Sequence, residues 1–305
     1  IGFLAFTTVG CLSQDPEGLA DIAPAKTTVK MDFWHRPLPE IPLPNDVATR
    51  YDADSPTGRR INASLIAPTW FERRARYHLD QLDGWGVYQP ITIPFTGPLD
   101  VASIRAGHPD DDFDLNDDVF YLVNIDRESE QFGEFMHLDV GNGNFPVVLE
   151  NMTRYWPNDP RGDTISLFYE EHDEDLNGNG QLDPGEDTDA DGILDEPNYL
   201  PGMNPAADDL AGRADALMTF YEKETNTVIL RSMIPLQERT RYAVVVTKRL
   251  KDENGESVGS PYPFVNHASQ TEDLEPLSEL MGKVGSSIDD VAFAFSFTTQ
   301  SIYTP

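Results

Sequence analysis

The chain has 305 residues, of which 22 are Lys or Arg and 53 are Asp or Glu, for a formal net charge of −31. Binding to a nucleic-acid backbone requires clustered Lys and Arg, so the charge argues against nucleic acid as a partner. It equally disfavours electrostatic attachment to anionic lipid. The hydrophobic fraction of 39% suffices for a substantial core, which argues against a wholly disordered chain.

The first eleven residues form a short apolar stretch that ends at the only cysteine, Cys11. Such a stretch is typical of the end of a secretory signal peptide, and we interpret residues 1–11 as its remnant. The segment Thr8-Val-Gly-Cys11 resembles a bacterial lipobox, although Thr stands where Leu is usual. The resemblance implies a lipid anchor on Cys11, an outer-membrane or cell-surface location, and a tether over residues 12–36. The alternative is an incidental free thiol.

From residue 37 to residue 305 the sequence predicts one mainly β domain. Short segments rich in Val, Ile, Phe, Tyr and Thr are bounded by Gly, Pro, Asn and Asp, which indicates many short strands joined by turns. This pattern, with few helices, is typical of an antiparallel β-sandwich. Phe293, Phe295 and Phe297 alternate and should face one core. The predicted strands are Val87–Phe95, Val119–Ile125, Glu134–Val140, Phe145–Leu149, Thr164–Tyr169, Ala216–Glu222, Thr227–Ile234, Arg241–Leu250 and Val291–Thr299.

Two short helices interrupt the β pattern. Thr69 followed by Glu72 is a capping box and predicts a helix that ends before Gly84. We interpret its arginines as a solvated face, the alternative being a surface that captures a protein or glycan. A second helix is predicted over Glu272–Gly282. The apolar positions of the first helix are Trp70, Phe71, Leu79 and Leu82, its arginines are Arg73, Arg74 and Arg76, and the inward positions of the second are Leu274, Leu277 and Leu280.

Two consecutive twelve-residue segments rich in Asp and Asn carry the most specific motif. Asp175–Glu186 matches the EF-hand calcium loop, with oxygen side chains at positions 1, 3, 5 and 9, Gly at 6 and Glu at 12. Asp187–Asn198 repeats the pattern but ends in Asn, so it either binds more weakly or borrows an oxygen from the first loop. The predicted ligands of two Ca²⁺ ions are Asp175, Asn177, Asn179, Gln181, Asp183 and Glu186, then Asp187, Asp189, Asp191, Ile193, Asp195 and Asn198.

The loops lack helix-forming flanks, since Pro184, Gly185 and Pro197 crowd them. They resemble the helix-less calcium repeats of bacterial surface proteins and thrombospondin-type repeats, so we expect the ions to staple a fold and not to act as a switch. Residues 170–196 hold twelve carboxylates and no Lys or Arg. Like charges ~7 Å apart repel by about 0.6 kcal/mol even in water, which disfavours an ion-free loop. The acidic run 110–118 lacks the glycine and the spacing, and is interpreted as solvated.

Common catalytic motifs are missing from the sequence. There is no Gly-x-Ser-x-Gly, no His-Glu-x-x-His and no Walker loop. Carboxylates are numerous enough for an acid–base pair of the glycosidase type, but no pair stands out. We therefore predict no catalytic residue. The histidines are scattered without ligand spacing, at His35, His78, His108, His137, His172 and His267.

Four stretches resemble parts of known families. Pro235–Gly255 and Phe95–Ile104 are similar to runs of bacterial Ig-like domains. Pro42–Asp46 with Thr57–Asn62 resembles the start of the N-terminal domain of bacterial virulence-factor lipases. In those surface lipoproteins an Ig-like β domain precedes an α/β-hydrolase domain. The resemblance implies an Ig-like sandwich, and a hydrolase that would follow this chain.

These observations predict an Ig-like antiparallel β-sandwich with a calcium-binding insertion at residues 170–200. Its expected role is that of a non-catalytic presentation module of a lipid-anchored surface protein, holding a downstream lipase or esterase domain away from the membrane. Two alternatives stay open. The chain is an adhesion module that binds a surface protein or glycan, or it shapes the substrate entrance of an extracellular lipase.

Overall fold

A computed structural model describes residues 17–36, 39–108, 114–140, 174–188, 192, 194–206, 209, 212–213 and 216–302. Within these ranges the protein is mainly β, with antiparallel sheets and short helices. The predicted signal-peptide remnant with Cys11 and two predicted strands, at 145–149 and 164–169, lie outside the described residues. So do three predicted calcium ligands, Asp189, Asp191 and Ile193.

Two four-stranded sheets and a separate hairpin contain the described strands. The strands are β1 (Thr49–Tyr51), β2 (Arg59–Ile61), β3 (Ile91–Pro94), β4 (Phe120–Asn124), β5 (Phe135–Met136), β6 (Leu138–Asp139), β7 (Tyr221–Glu222), β8 (Thr227–Ser232), β9 (Arg241–Thr247) and β10 (Val291–Thr298). The first sheet has the order β10-β9-β4-β5, and the second has the order β3-β8-β6, with β7 also paired to β8. Strands β1 and β2 form the hairpin.

One extended segment passes from the first sheet to the second. Met136 pairs with Leu122 of the first sheet, whereas Leu138 pairs with Ser232 of the second. Only His137 separates the two pairings. The segment predicted as a single strand over 134–140 therefore joins the two sheets at one corner.

The apolar core between the sheets is built from large alternating side chains. Phe293, Phe295 and Phe297 are buried there, which confirms their predicted common face. Ile93 of β3 and Leu230 of β8 belong to the same core, from the second sheet. Each buried Phe contributes about 1.5–3 kcal/mol relative to an exposed one, so this alternation is a main source of stability.

Two of the described short helices cover the other face of the first sheet. The α-helices whose full extent is described are α1 (Trp70–Asp80), α2 (Val101–Gly107), α3 (Thr271–Leu274) and α4 (Leu277–Leu280). Leu274, Leu277 and Leu280 point inward as predicted and share a second apolar cluster with the first sheet. Ala294 and Ser296 are small side chains of β10 between its phenylalanines, and every residue of this strand is buried. The first sheet thus has packed cores on both faces.

The helix at Val101–Gly107 was not predicted, so the expectation of two short helices is wrong in number. Asp100 caps it, because its side chain accepts a hydrogen bond from the Ala102 N–H at 3.0 Å. Ile104 is fully buried and fixes α2 to the main core. Seven residues with a single buried stripe are too short for a clear helical period in the sequence.

Part of the segment predicted as a tether is built into the fold. Thr28 bridges to Gly259, and Val29 bridges to Phe95. Val29 is fully buried in the main core. Residues in this position cannot act as a free tether, so the folded region begins before residue 37.

His108, directly after α2, is a buried histidine held in its neutral form. Its Nε2 accepts a hydrogen bond from the Phe120 N–H at 3.3 Å, which requires an unprotonated nitrogen. Burial lowers the pKa of His108 to about 4. The Asp118 carboxylate lies 3.6 Å from Nδ1.

We predict that His108 makes the fold acid-sensitive. Its stabilising effect is complete above its ordinary pKa of 6.5 and is lost as the pH falls towards 4, because the unfolded chain takes up the proton first. His108→Gln keeps an acceptor for the Phe120 N–H but cannot titrate. Between about pH 7 and pH 4.5 the variant should lose about 2 kcal/mol less unfolding free energy than the unmodified chain. Urea titrations at the two pH values measure this, and equal losses would contradict the assignment.

Candidate metal centre

The first acidic loop curls around the carboxylate of Asp175. Its Oδ1 accepts the Asn179 N–H and its Oδ2 accepts the Gly180 N–H, both at 2.8 Å. Gly180 has φ +70, a left-handed conformation that residues with a Cβ adopt at a cost. Gly192, the sixth residue of the second loop, has φ +81. The sharp turn that the motif requires is therefore present at the same position of both loops.

Other predicted ligands of the first loop are hydrogen-bonded to one another. Asp183 Oδ2 accepts the side-chain amides of Asn177 at 2.9 Å and Asn179 at 2.8 Å. Glu186 Oε1 accepts the same Asn177 amide at 3.2 Å, and its Oε2 accepts the Asp183 N–H at 2.9 Å. Gln181, predicted to bind through its carbonyl, donates its N–H to Asn179 Oδ1 at 2.7 Å. Loop positions 3, 5, 9 and 12 thus converge, as calcium coordination requires.

Asparagine amides lie between the carboxylates of this loop. The Nδ2 atoms of Asn177 and Asn179 contact Asp183 as the positive ends of dipoles. A half-turn of an asparagine side chain exchanges Nδ2 for Oδ1 and presents an oxygen ligand in the same place. In the described part of the chain, no three His, Cys, Asp or Glu side chains already form a metal cage. Calcium binding would require this rearrangement of the amides.

Glu174 joins the two loops, although it belongs to neither twelve-residue motif. It is fully buried. Its Oε1 accepts the N–H and, at 2.8 Å, the hydroxyl of Thr188, and its Oε2 accepts the Asp195 N–H at 3.3 Å. Its own N–H donates to the Asp195 carbonyl at 2.9 Å. Because Glu174 precedes the twelve-residue motif, the only sequence signal for it is that it is one of the clustered carboxylates.

The buried carboxylates fit a hard cation. Glu186 and Asp195 are buried together with Glu174. Asp187 Oδ1 is buried and has no hydrogen-bond partner. Residues 170–196 contain no Lys or Arg that could neutralise them. A buried carboxylate oxygen without a partner costs free energy. Ca²⁺ binds several oxygen ligands at once, and this group of carboxylates could supply them.

Asn198, the predicted last ligand of the second loop, attaches the loop to the second sheet. Its Nδ2 donates to the carbonyls of Met218 at 2.7 Å and Tyr221 at 2.8 Å. Its Oδ1 accepts the Lys223 N–H at 3.2 Å. The Asn198 side-chain amide therefore bonds to backbone groups in and beside β7. A carboxylate at this position could not donate to the two carbonyls.

The chain that leaves the loops continues into the main core. Leu200 is buried there, and its N–H donates to the Ala216 carbonyl at 2.8 Å. The Met218 N–H donates to the Asn198 carbonyl at 2.8 Å. The acidic loops are therefore fused on this side to the second sheet, and a change in their order would be felt in the core.

A separate polar cleft of about 500 Å³ lies at one end of the first sheet. Arg241 in its wall pairs with Asp273 at 2.7 Å, and Asp273 also pairs with Arg59 at 2.8 Å. Arg59 reaches the buried Asp46 at 3.3 Å. Burial raises the pKa of Asp46, against the opposing effects of Arg59 and of hydrogen bonds from Thr298. Through Thr298, Asp46 joins the N-terminal region to β10.

One Ser–His contact has the geometry of a cap. His267 Nδ1 lies 2.7 Å from the Ser269 hydroxyl and also accepts the Ser269 N–H at 3.2 Å. His267 is the N-cap of the short 3₁₀ helix Ala268–Gln270. The nitrogen that a general base would use is thus engaged by a backbone donor.

No family model, curated protein or solved structure matches the chain. Among the described residues no helix is long and apolar enough to cross a bilayer. Helix α1, with 11 residues, is roughly 16 Å long against the ~30 Å of a hydrocarbon core.

We predict that Asp187→Asn has opposite effects with and without calcium. In a chelator it removes a charge whose buried oxygen has no partner, so the unfolding free energy should rise by about 1 kcal/mol. In excess Ca²⁺ it removes a ligand and should lower stability relative to the unmodified chain. Asp54→Asn, at an exposed hairpin position, is the charge-matched control and should change neither value by more than about 0.5 kcal/mol. Denaturant titrations of the unmodified chain and both variants, with and without calcium, measure these effects. If Asp187→Asn changed stability in the same direction in both buffers, the assignment would be overturned.

Proposed function

We propose that this chain is a non-catalytic β module whose acidic insertion is stapled to the second sheet by two Ca²⁺ ions. The observation that carries the proposal is a set of converging and buried carboxylates in a segment without Lys or Arg. Asp175, Asn177, Asn179, Asp183 and Glu186 would hold the first ion, with the Gln181 carbonyl. The second would be held by Asp187 and Asp195 with Asp189, Asp191 and the Ile193 carbonyl.

A stabilising role fits the attachments of the insertion better than a switching role. Glu174 fastens the beginning of the loops to Asp195, and Asn198 fastens their end to the strand β7. Sensor EF-hands convert ion binding into movement of two helices, and these loops have no helices at their sides. Binding energy would instead appear as folding stability, at about 2.7 kcal/mol per site when free calcium exceeds Kd a hundredfold.

Calorimetry of the chain in chelator, in excess Ca²⁺ and in excess Mg²⁺ tests the staple. We expect Ca²⁺ to raise Tm by about 5 °C or more, and Mg²⁺ to raise it less, because Mg²⁺ gives up its water shell reluctantly. Asp175→Ala combined with Asp187→Ala should abolish the calcium-dependent rise. An identical Tm in chelator and in calcium would refute the staple.

The proposal also includes a location at the bacterial cell surface. Two sheets with a shared core and a segment that crosses between them support a sandwich of the Ig-like type. The resemblance to virulence-factor lipases supports a role in holding a downstream lipase or esterase domain at a bacterial surface, with a lipid on Cys11 as the anchor.

The anchor predicts a clear change in cell fractionation. Cys11→Ser should abolish labelling with a fatty acid and, after a high-salt wash that weakens electrostatic contacts, move the protein from the membrane pellet to the soluble fraction, since the acyl chains supply most of the membrane affinity. Ser13, two residues further along the chain, offers a matched control as Ser13→Ala, which should leave the protein in the pellet. Fractionation of Cys11→Ser with the membranes and full labelling would contradict the anchor.

A further inference from the structure

Helix α1 packs on the protein through its charged side. Asp80 binds the guanidinium of Arg50 with contacts of 2.5 and 2.9 Å. Arg76 donates to the Ile66 carbonyl at 3.0 Å and pairs with Glu72 at 2.5 Å. Glu72, Arg76 and Asp80 are spaced by four residues and therefore share one side of the helix. No residue of α1 is buried.

The opposite side of α1 exposes large aromatic groups. Trp70 is 70% exposed and Phe71 is 77% exposed, and Ile66, shortly before the helix, is 88% exposed. Tyr77 lies seven residues after Trp70, and therefore on the same side of the helix, and its ring is half-exposed. Soluble domains ordinarily turn such a side towards their core, and a contiguous exposed apolar patch marks an interaction surface.

This surface is positively charged on a strongly acidic protein. Helix α1 holds three arginines against two carboxylates, a net charge of +1, whereas the whole chain carries −31. The arginines of the hairpin are already paired with carboxylates. The Arg74 guanidinium lies 5.3 Å from the centre of the Trp70 ring. The carboxylates of α1 are bound to Arg76 and Arg50 on the packed side. The outward side thus combines aromatic rings with arginine.

We propose that α1 is a membrane-contact surface for an anionic phospholipid bilayer. Trp70 and Phe71 would enter the boundary between headgroups and acyl chains, and Arg73 and Arg74 would bind lipid phosphates. Exposed Trp and Tyr beside arginine are typical of residues at a membrane interface, and the local positive charge complements anionic headgroups. An apolar protein groove would leave the arginines without such a complement.

The net charge of the chain does not prevent this contact. Fields of exposed charges are screened over about 8 Å at physiological ionic strength, so the lipid would respond to the local charge of α1. The surface involves neither the calcium ligands nor Cys11, so the proposal stands or falls separately from the proposed function.

Vesicle sedimentation with the chain carrying Cys11→Ser tests the proposal without an acyl anchor. The vesicles contain phosphatidylglycerol in phosphatidylcholine, or phosphatidylcholine alone, and the buffer contains a chelator so that calcium cannot bridge acidic residues to lipid. We expect sedimentation with the anionic vesicles only, decreasing as salt is added. Trp70→Ala with Phe71→Ala should reduce the partition coefficient at least about tenfold, as should Arg73→Glu with Arg74→Glu. Trp34→Ala, at another exposed tryptophan, should not change it.

Tryptophan quenching by brominated lipid distinguishes direct contact from an indirect effect. Binding should quench part of the emission, and Trp70→Phe should remove that quenching while retaining binding. Unchanged Tm values of the exposed-site variants would show that they fold. No binding to anionic vesicles, or equal binding of the Trp70/Phe71 variant, would overturn the proposal. So would a dimer in sedimentation velocity that this variant abolishes, because the helix would then be covered by a second copy.

Discussion

Repulsion among carboxylates is the constraint that shapes the connection between β6 and β7. Residues 170–196 place twelve acidic side chains in one segment without a basic residue, and several of these carboxylates are buried. Backbone N–H groups and asparagine amides satisfy part of the negative charge, as at Asp175 and Asp183. They do not satisfy all of it, since Asp187 retains a buried oxygen without a partner. A bound cation would complete this arrangement, and the proposed function rests on that inference.

The sheets make the state of this segment a property of the whole fold. The second sheet shares its core with the first, and the first is packed on its other face by α3 and α4. The chain leaving the acidic loops enters the same core at Leu200. A loosened insertion would therefore weaken packing against the phenylalanines of β10, well away from any ion. Helix α1 lies outside this system, since none of its residues is buried, and is free to serve a separate contact.

Local patterns in the sequence predicted the elements whose own residues determine them. The alternation in β10, the leucines of α3 and α4 and the cap of α1 by Thr69, at 3.1 Å from the Glu72 N–H, were all predictable. The sequence did not predict that α1 turns its charged side inward, because the partner Arg50 lies far away along the chain. The role of Glu174 was equally hidden, since it depends on Thr188 and Asp195 meeting it in space. Tertiary pairing of polar groups, unlike apolar periodicity, has no local pattern.

Hydrogen exchange at the backbone amides beyond the loops tests the central claim most directly. If calcium staples the insertion to the sheet, its addition should slow exchange within residues 175–198 and also at Leu200, Met218 and β7. These amides lie where the chain leaving the loops meets the core. The Leu200 N–H, for example, donates to the Ala216 carbonyl. Slowed exchange confined to the loop residues, or no change on adding calcium, would contradict the account.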